Sequence, residues 1–275
     1  MSRVLAIMVA SFVAASPAAA DSAATLCTIV ADRNGKVLFE EGPACGDRVT
    51  PASTFKVALA VMGFDAGVLK GPDDPVLPFK KGYPDWGGDA WRRPVGPKSW
   101  MHDSVVWYSQ QIARRLTAER LTSYAKTLDY GNADFSGDPG KDNGLDRSWI
   151  GSSLKISPRE QIGFIARLTA GRLPVSADAM KQSAALLDRH EAGGWTIRGK
   201  TGSAFPRKAD GTLDRARGWG WYVGWAERGG QRLVVVRLRQ DVRRETESGG
   251  IRSRTSVLRD WTGLVDQQAV SAALK

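Results

Sequence analysis

The feature that most constrains this chain is where its hydrophobic period changes. Residues 28–31 and 36–39 read as short strands about Asn34-Gly35, a type I′ hairpin signal. After Gly193-Gly194 the period is two again. Residues 195–203 form a strand, and Trp219, Trp221, Val223 and Trp225 alternate with Gly220, Tyr222 and Gly224. Residues 227–231 make a turn and 233–238 return as a strand. Between these ends the pattern is helical. Thr50 suits an N-cap with Pro51 in the first helical position, and Asp103 caps a helix over 103–113. Thr117 caps another through Leu128, and Ser157 with Glu160 makes a capping box for 161–169. Residues 180–190 read as helix, 253–265 as a closing helix, and 71–97 and 133–148 as loops. The order predicts an α/β fold: an antiparallel sheet built from both chain ends and flanked by helices, with a helical lobe inserted over roughly 57–190.

With 275 residues, 42% hydrophobic and 25% charged, the chain can bury a large core. Residues 1–20 read as a signal peptide: Arg3, an apolar run over 4–13, and Ala18-Ala19-Ala20 before a cut at Asp21. Residues 21–275 are then expected to be one exported domain, periplasmic, without a membrane anchor. Cys27 and Cys45 lie on either side of the hairpin, close enough for a disulfide in an oxidising compartment; two buried free thiols are the alternative. Two Cys and two His, so spaced, make no zinc site, and no metal is expected. The formal charge is +10, but the basic residues are scattered as pairs such as Arg92-Arg93 and Arg243-Arg244. No basic run is interleaved with aromatics, which argues against a nucleic-acid partner.

The chemistry concentrates at Ser53 and Lys56. Three apart at the start of a helix, they project from one face. A hydroxyl becomes a nucleophile when a base takes its proton, and a lysine serves once burial removes its charge. The helix N-terminus places positive partial charge where an oxyanion would form. The same spacing recurs at Ser123/Lys126 and Ser152/Lys155, so it is not decisive alone. Lys200-Thr201-Gly202 at the end of a strand adds an ammonium, a hydroxyl and backbone N–H groups suited to a carboxylate ligand.

Ser53-x-x-Lys56, Ser104-Val105-Val106, Tyr130-Gly131-Asn132, Trp149 and Lys200-Thr201-Gly202 come in an order that resembles the class D (oxacillinase-type) β-lactamases of the penicillin-binding transpeptidase superfamily. The resemblance implies hydrolysis of β-lactam antibiotics, and so resistance, through an acyl-enzyme on Ser53. It implies that Lys56 is N-carboxylated by CO2 and acts as general base, with no other cofactor. Val106 would pack over that group and Trp149 would donate a hydrogen bond to it. Ser104 would relay a proton to the leaving nitrogen beside Lys200. The N–H groups of Ser53 and Ser203 would form the oxyanion hole. Thr201, Gly202 and Arg252 would hold the substrate carboxylate, with Arg254 a rival to Arg252. Tyr130 and Asn132 would shape the site wall. Glycine stands at Gly151, one position earlier than the family pattern has it, which bears on the pose of Trp149. Two other readings share these motifs or the charge: a penicillin-binding D,D-peptidase or sensor, and a cationic envelope-binding protein.

Overall fold

The computed structural model describes residues 23–274; the leader assigned to residues 1–20 lies outside them. Two strands open the fold, β1 (Ala23–Asp32) and β2 (Val37–Glu41). Gly35 at φ 90° makes their turn, a conformation glycine adopts without Cβ strain. Six helices follow: α1 (Phe55–Asp65), α2 (Pro97–His102), α3 (Val106–Thr127), α4 (Gly144–Arg147), α5 (Pro158–Thr169) and α6 (Ala177–Ala185). The chain then returns to the sheet as β3 (Asp188–Ala192), β4 (Trp195–Ala204), β5 (Trp219–Arg228) and β6 (Gln231–Asp241). It ends in α7 (Gly249–Val265) and α8 (Gln268–Ala273).

The sheet order is β2-β1-β6-β5-β4-β3, all antiparallel, so β1 from one end of the chain lies beside β6 from the other. Both faces are covered. Ile29, Trp221, Val223, Trp225, Val234 and Val236 face a core shared with the helical lobe. Val30, Tyr222, Ala226, Leu233 and Val235 face a second core under α7 and α8. A strand buried on both sides reads as a continuous apolar run, as 233–236 do here. Among the described residues no helix is long and apolar enough to cross a membrane.

Several local signals hold. Ser157 accepts from Glu160 N, and Glu160 answers to the Ser157 N–H at 2.8 Å, closing the expected capping box. Thr117 leaves helical geometry (φ 67°, ψ 159°), kinks α3, and its hydroxyl accepts from Arg120 N, as a cap should. Others are corrected. Thr50 is no helix cap; Pro51 caps a 3-10 turn, Ala52–Thr54, that leads into α1. Asp103 closes α2 rather than opening α3, whose N-cap is Val105. The helix expected over 180–190 stops at Ala185, and Asp188–Ala192 is a strand. The pairing of Asp188 with Gly199 through Ala192 with Trp195 overrides local propensity there. The loop over 133–148 contains the single turn α4.

Cys27 and Cys45 are joined, with Cα atoms 5.0 Å apart and a sequence separation of 18. Closing that loop should contribute about 3 kcal/mol in the chain-entropy model. The Cys27→Ala/Cys45→Ala protein is therefore expected to lose about that much in a guanidinium unfolding curve. An unchanged midpoint would show that the bond does not stabilise the fold.

Candidate active site

The site sits where α1 meets the free edge of β4. α1 is buried from Phe55 through Phe64, so its lysine is taken inside with it: Lys56 is 0% exposed. Its Nζ donates to Ser53 Oγ at 3.2 Å. Ser53 lies in the 3-10 turn just ahead of the helix, after Ala52 at φ 50°. A non-glycine residue held in that region is strained, and here it aims the serine that follows it at the cleft.

Two buried lysines are pushed apart electrically. Desolvation drives the Lys56 pKa well below the ordinary lysine value, and repulsion from Lys200 adds to it. Lys200, 5% exposed, falls to about 8; burial is the main cause, the nearby positive charge of Arg254 lowers it further, and Asp188 opposes. Burial thus favours the uncharged form of the amine beside the serine hydroxyl, while Lys200, at about 8, keeps its proton at neutral pH. Environments that push two like groups apart in this way are the pattern found where one acts as a base and the other as a cation.

β4 brings Lys200 to the serine through backbone closeness. β3 pairs with β4 only from Trp195 to Gly199, so the outer edge of β4 beyond that is free of strand partners. Gly202 lies against the 3-10 turn: a Cβ there would stand 2.8 Å from Pro51 O and 3.1 Å from Thr54 N. On the other side, a Cβ at Gly250 of α7 would stand 2.8 Å from Gly202 O. Only glycine lets three backbones meet this closely.

Trp149 is 1% exposed, and its indole N–H has no acceptor among the described residues. Its ring packs on Phe55, the neighbour of Lys56, with centroids 5.3 Å apart. Thr50, expected as a cap, instead fastens this segment: its hydroxyl donates to Trp149 O at 2.8 Å and accepts from Gly151 N at 3.0 Å. Gly151 takes φ 70°, so the shifted glycine is accommodated by that clasp. Trp221 donates to Thr50 O at 2.9 Å and ties the clasp to the sheet.

A cleft of about 490 Å³ opens over Ser53, bounded by Ser104, Val106, Thr201, Gly202, Ser203 and Arg254 among others. Ser104, at φ 58° between α2 and α3, has no hydrogen-bond partner among the described residues. The Ser203 hydroxyl is engaged elsewhere, accepting from Gly250 N at 2.8 Å and sharing a hydrogen with Ser248 Oγ at 2.7 Å. The Arg252 guanidinium binds Asp241 at 2.6 Å and Glu247 O; Asp241 and Arg254 both border the cleft. Tyr130 packs behind α1 against Phe55 and Phe164, and Asn132 braces Ser153 O and Lys155 N. Ser123/Lys126 and Ser152/Lys155 lie outside this cleft.

Sequence reasoning missed three residues of the cleft mouth. His102 Nδ1 pairs with Asp188 Oδ1 at 2.8 Å, linking α2 to β3 across the cleft. Asp188 was hidden in an expected helix. Trp86, 65% exposed, rests on Trp91 with centroids 5.3 Å apart. Its signal was an aromatic in a polar loop, which alone names no role.

Comparison with known proteins agrees with this geometry. Residues 25–262 match the penicillin binding protein transpeptidase domain family. The chain is 43% identical to β-lactamase OXA-9 of Klebsiella pneumoniae over 94% of its own length and 96% of the relative's. It is 36% identical to β-lactamase OXA-1 of Escherichia coli, covering 75% of this chain and 72% of that one. The crystal structure of the class D β-lactamase OXA-427 superposes with a TM-score of 0.81 at 41% identity, over 88% of this chain and 98% of that one. A class D β-lactamase from Bacillus subtilis gives 0.71 at 28% identity, over 87% and 92%. The fold and site are those of a penicillin-binding transpeptidase-type domain. Within that family the chain belongs to the class D serine β-lactamases, hydrolases of cyclic amides.

Thr50 generates a test. Thr50→Val keeps the shape but leaves Gly151 N–H and Trp149 O without that partner, a cost of roughly 1–3 kcal/mol. Thermal unfolding should show the loss, and turnover should fall along with it. Wild-type stability in Thr50→Val would mean the clasp does not hold Trp149.

Proposed function

We propose that this protein hydrolyses β-lactam antibiotics through an acyl-enzyme on Ser53, with Lys56 N-carboxylated as general base. The observation that carries the reading is the fully buried Lys56 amine, its pKa driven down by desolvation, 3.2 Å from the Ser53 hydroxyl.

The residues around Lys56 suit a carboxylated lysine. Only a neutral amine combines with CO2, and burial favours that form of Lys56. The buried, unpartnered indole N–H of Trp149 beside Phe55 is a donor in want of an anion. When present, the carboxyl group supplies a base of carboxylate type in a dry pocket. Ser53 gives up its proton and attacks the lactam carbonyl, whose C–N bond opens. Backbone N–H groups of Ser53 and Ser203 receive the developing oxyanion. Ser104, hydroxyl unengaged, passes a proton to the departing nitrogen, and the Lys200 ammonium stabilises the charge there. Thr201 and Arg254 hold the substrate carboxylate, the fork of Arg254 taking the place assigned from sequence to Arg252. Water then releases the product from Ser53. Export to the periplasm, where β-lactams meet their targets, and a role in resistance belong to the same proposal.

Mass spectrometry of protein mixed with a penicillin should show transient acylation that Ser53→Ala abolishes. Stable acylation without turnover would favour the D,D-peptidase or sensor reading. Lys56→Ala should lower kcat by roughly 10²–10⁴.

The pH dependence has a definite sign. Acid protonates Lys56 and removes the amine that takes up CO2, so kcat falls with falling pH and added bicarbonate restores it. Above about 8 the Lys200 ammonium is lost, so KM for an anionic penicillin should rise there. Turnover indifferent to bicarbonate would remove the carboxylated base, and a flat KM above pH 8 would remove Lys200 from substrate binding.

A further inference from the structure

A second cavity, of about 390 Å³, lies on the lobe side of the sheet between α5, α6, β4 and β5. It is separate from the cleft: no residue borders both. Its apolar lining is Leu168, Met180 and Trp225, each less than 10% exposed. Its charged lining is three cations, Lys181, Arg198 and Arg232, against one acid, Glu227.

That acid is already used. Arg232 binds Glu227 Oε1 through Nε at 2.9 Å and Nη2 at 2.6 Å, and its Nη1 donates to Thr169 O. Arg198 and Lys181 have no acceptor among the described residues, so the cavity carries two uncompensated positive charges. Arg198 stands directly opposite Trp225 in the β4–β5 register, so their side chains leave the same face of the sheet. A forked cation therefore rises beside an apolar wall. Arg198 also shares its face with Lys200, two residues along β4, about 6.6 Å away at the rise of an extended strand.

We propose that this cavity binds a small amphipathic carboxylate, its anion on Arg198 and Lys181 and its apolar body on Trp225, Leu168 and Met180. Two free cations disfavour a cationic ligand. The apolar lining disfavours a bare inorganic anion, which would gain nothing from it. A guanidinium fork matches a carboxylate with two parallel hydrogen bonds. The volume suits a body of one or two rings. The proposal does not depend on the chemistry at Ser53.

The test uses the whole protein and 2-naphthoate as probe, with binding read by saturation-transfer NMR. Saturable binding is expected in the millimolar range or tighter. Arg198→Gln should weaken it at least tenfold, and Lys181→Gln, an exposed change on α6, by a smaller factor. Arg254→Gln, in the other cleft, should leave it unchanged. The uncharged 2-naphthamide should bind at least tenfold more weakly, and inorganic phosphate should not displace the probe. The proposal is overturned by no saturable binding, by binding that Arg198→Gln and Lys181→Gln both leave intact, by loss with Arg254→Gln, or by displacement with phosphate.

Discussion

The structure depends on one costly act, the removal of a lysine from water. An isolated ammonium in an apolar interior is so unfavourable that the group sheds its proton instead. α1 enforces this by being buried almost all round, so Lys56 has nowhere to snorkel. The sheet adds a second cation, Lys200, whose repulsion works in the same direction. Fold and electrostatics are therefore one problem: the packing that stabilises α1 is the packing that lowers the pKa of its amine.

Other features keep that arrangement rigid. The disulfide fixes the strand that leads to the helix, the Thr50 clasp holds Trp149 against Phe55, and α7 presses on β4 from behind. Glycines at 202 and 250 allow the backbone contacts, and a strained Ala52 orients the serine. Preorganisation of this sort holds the polar groups of the cleft in place without rearrangement.

Much of this was legible in the sequence, and the reasons differ by element. Ser53, Lys56 and Lys200 declare themselves because chemistry needs those residue types at fixed spacing, and the structure brings all three together. The hairpin and the Ser157 box are local, so their signals survive folding. Asp188–Ala192 was illegible because its strand character comes from pairing with β4, a partner that no local pattern reveals. Thr50 looked like a cap because a hydroxyl before proline usually is one; its real partners lie about a hundred residues away. The bond of Arg252 to Asp241 was equally invisible, since that carboxylate belongs to no motif. Long-range polar partners are the part of a site that a one-dimensional reading does not see.

The placement of β1 beside β6 sets an order of assembly. Ile29 faces Val236, about two hundred residues later, so the central seam of the sheet has to wait for nearly the whole polypeptide. A topology with such distant pairing folds slowly. Until the last strand arrives, the nascent chain has no closed sheet, and the dry pocket around the amine does not yet exist. The Ser53–Lys56 contact is thus enclosed only once translation is nearly complete.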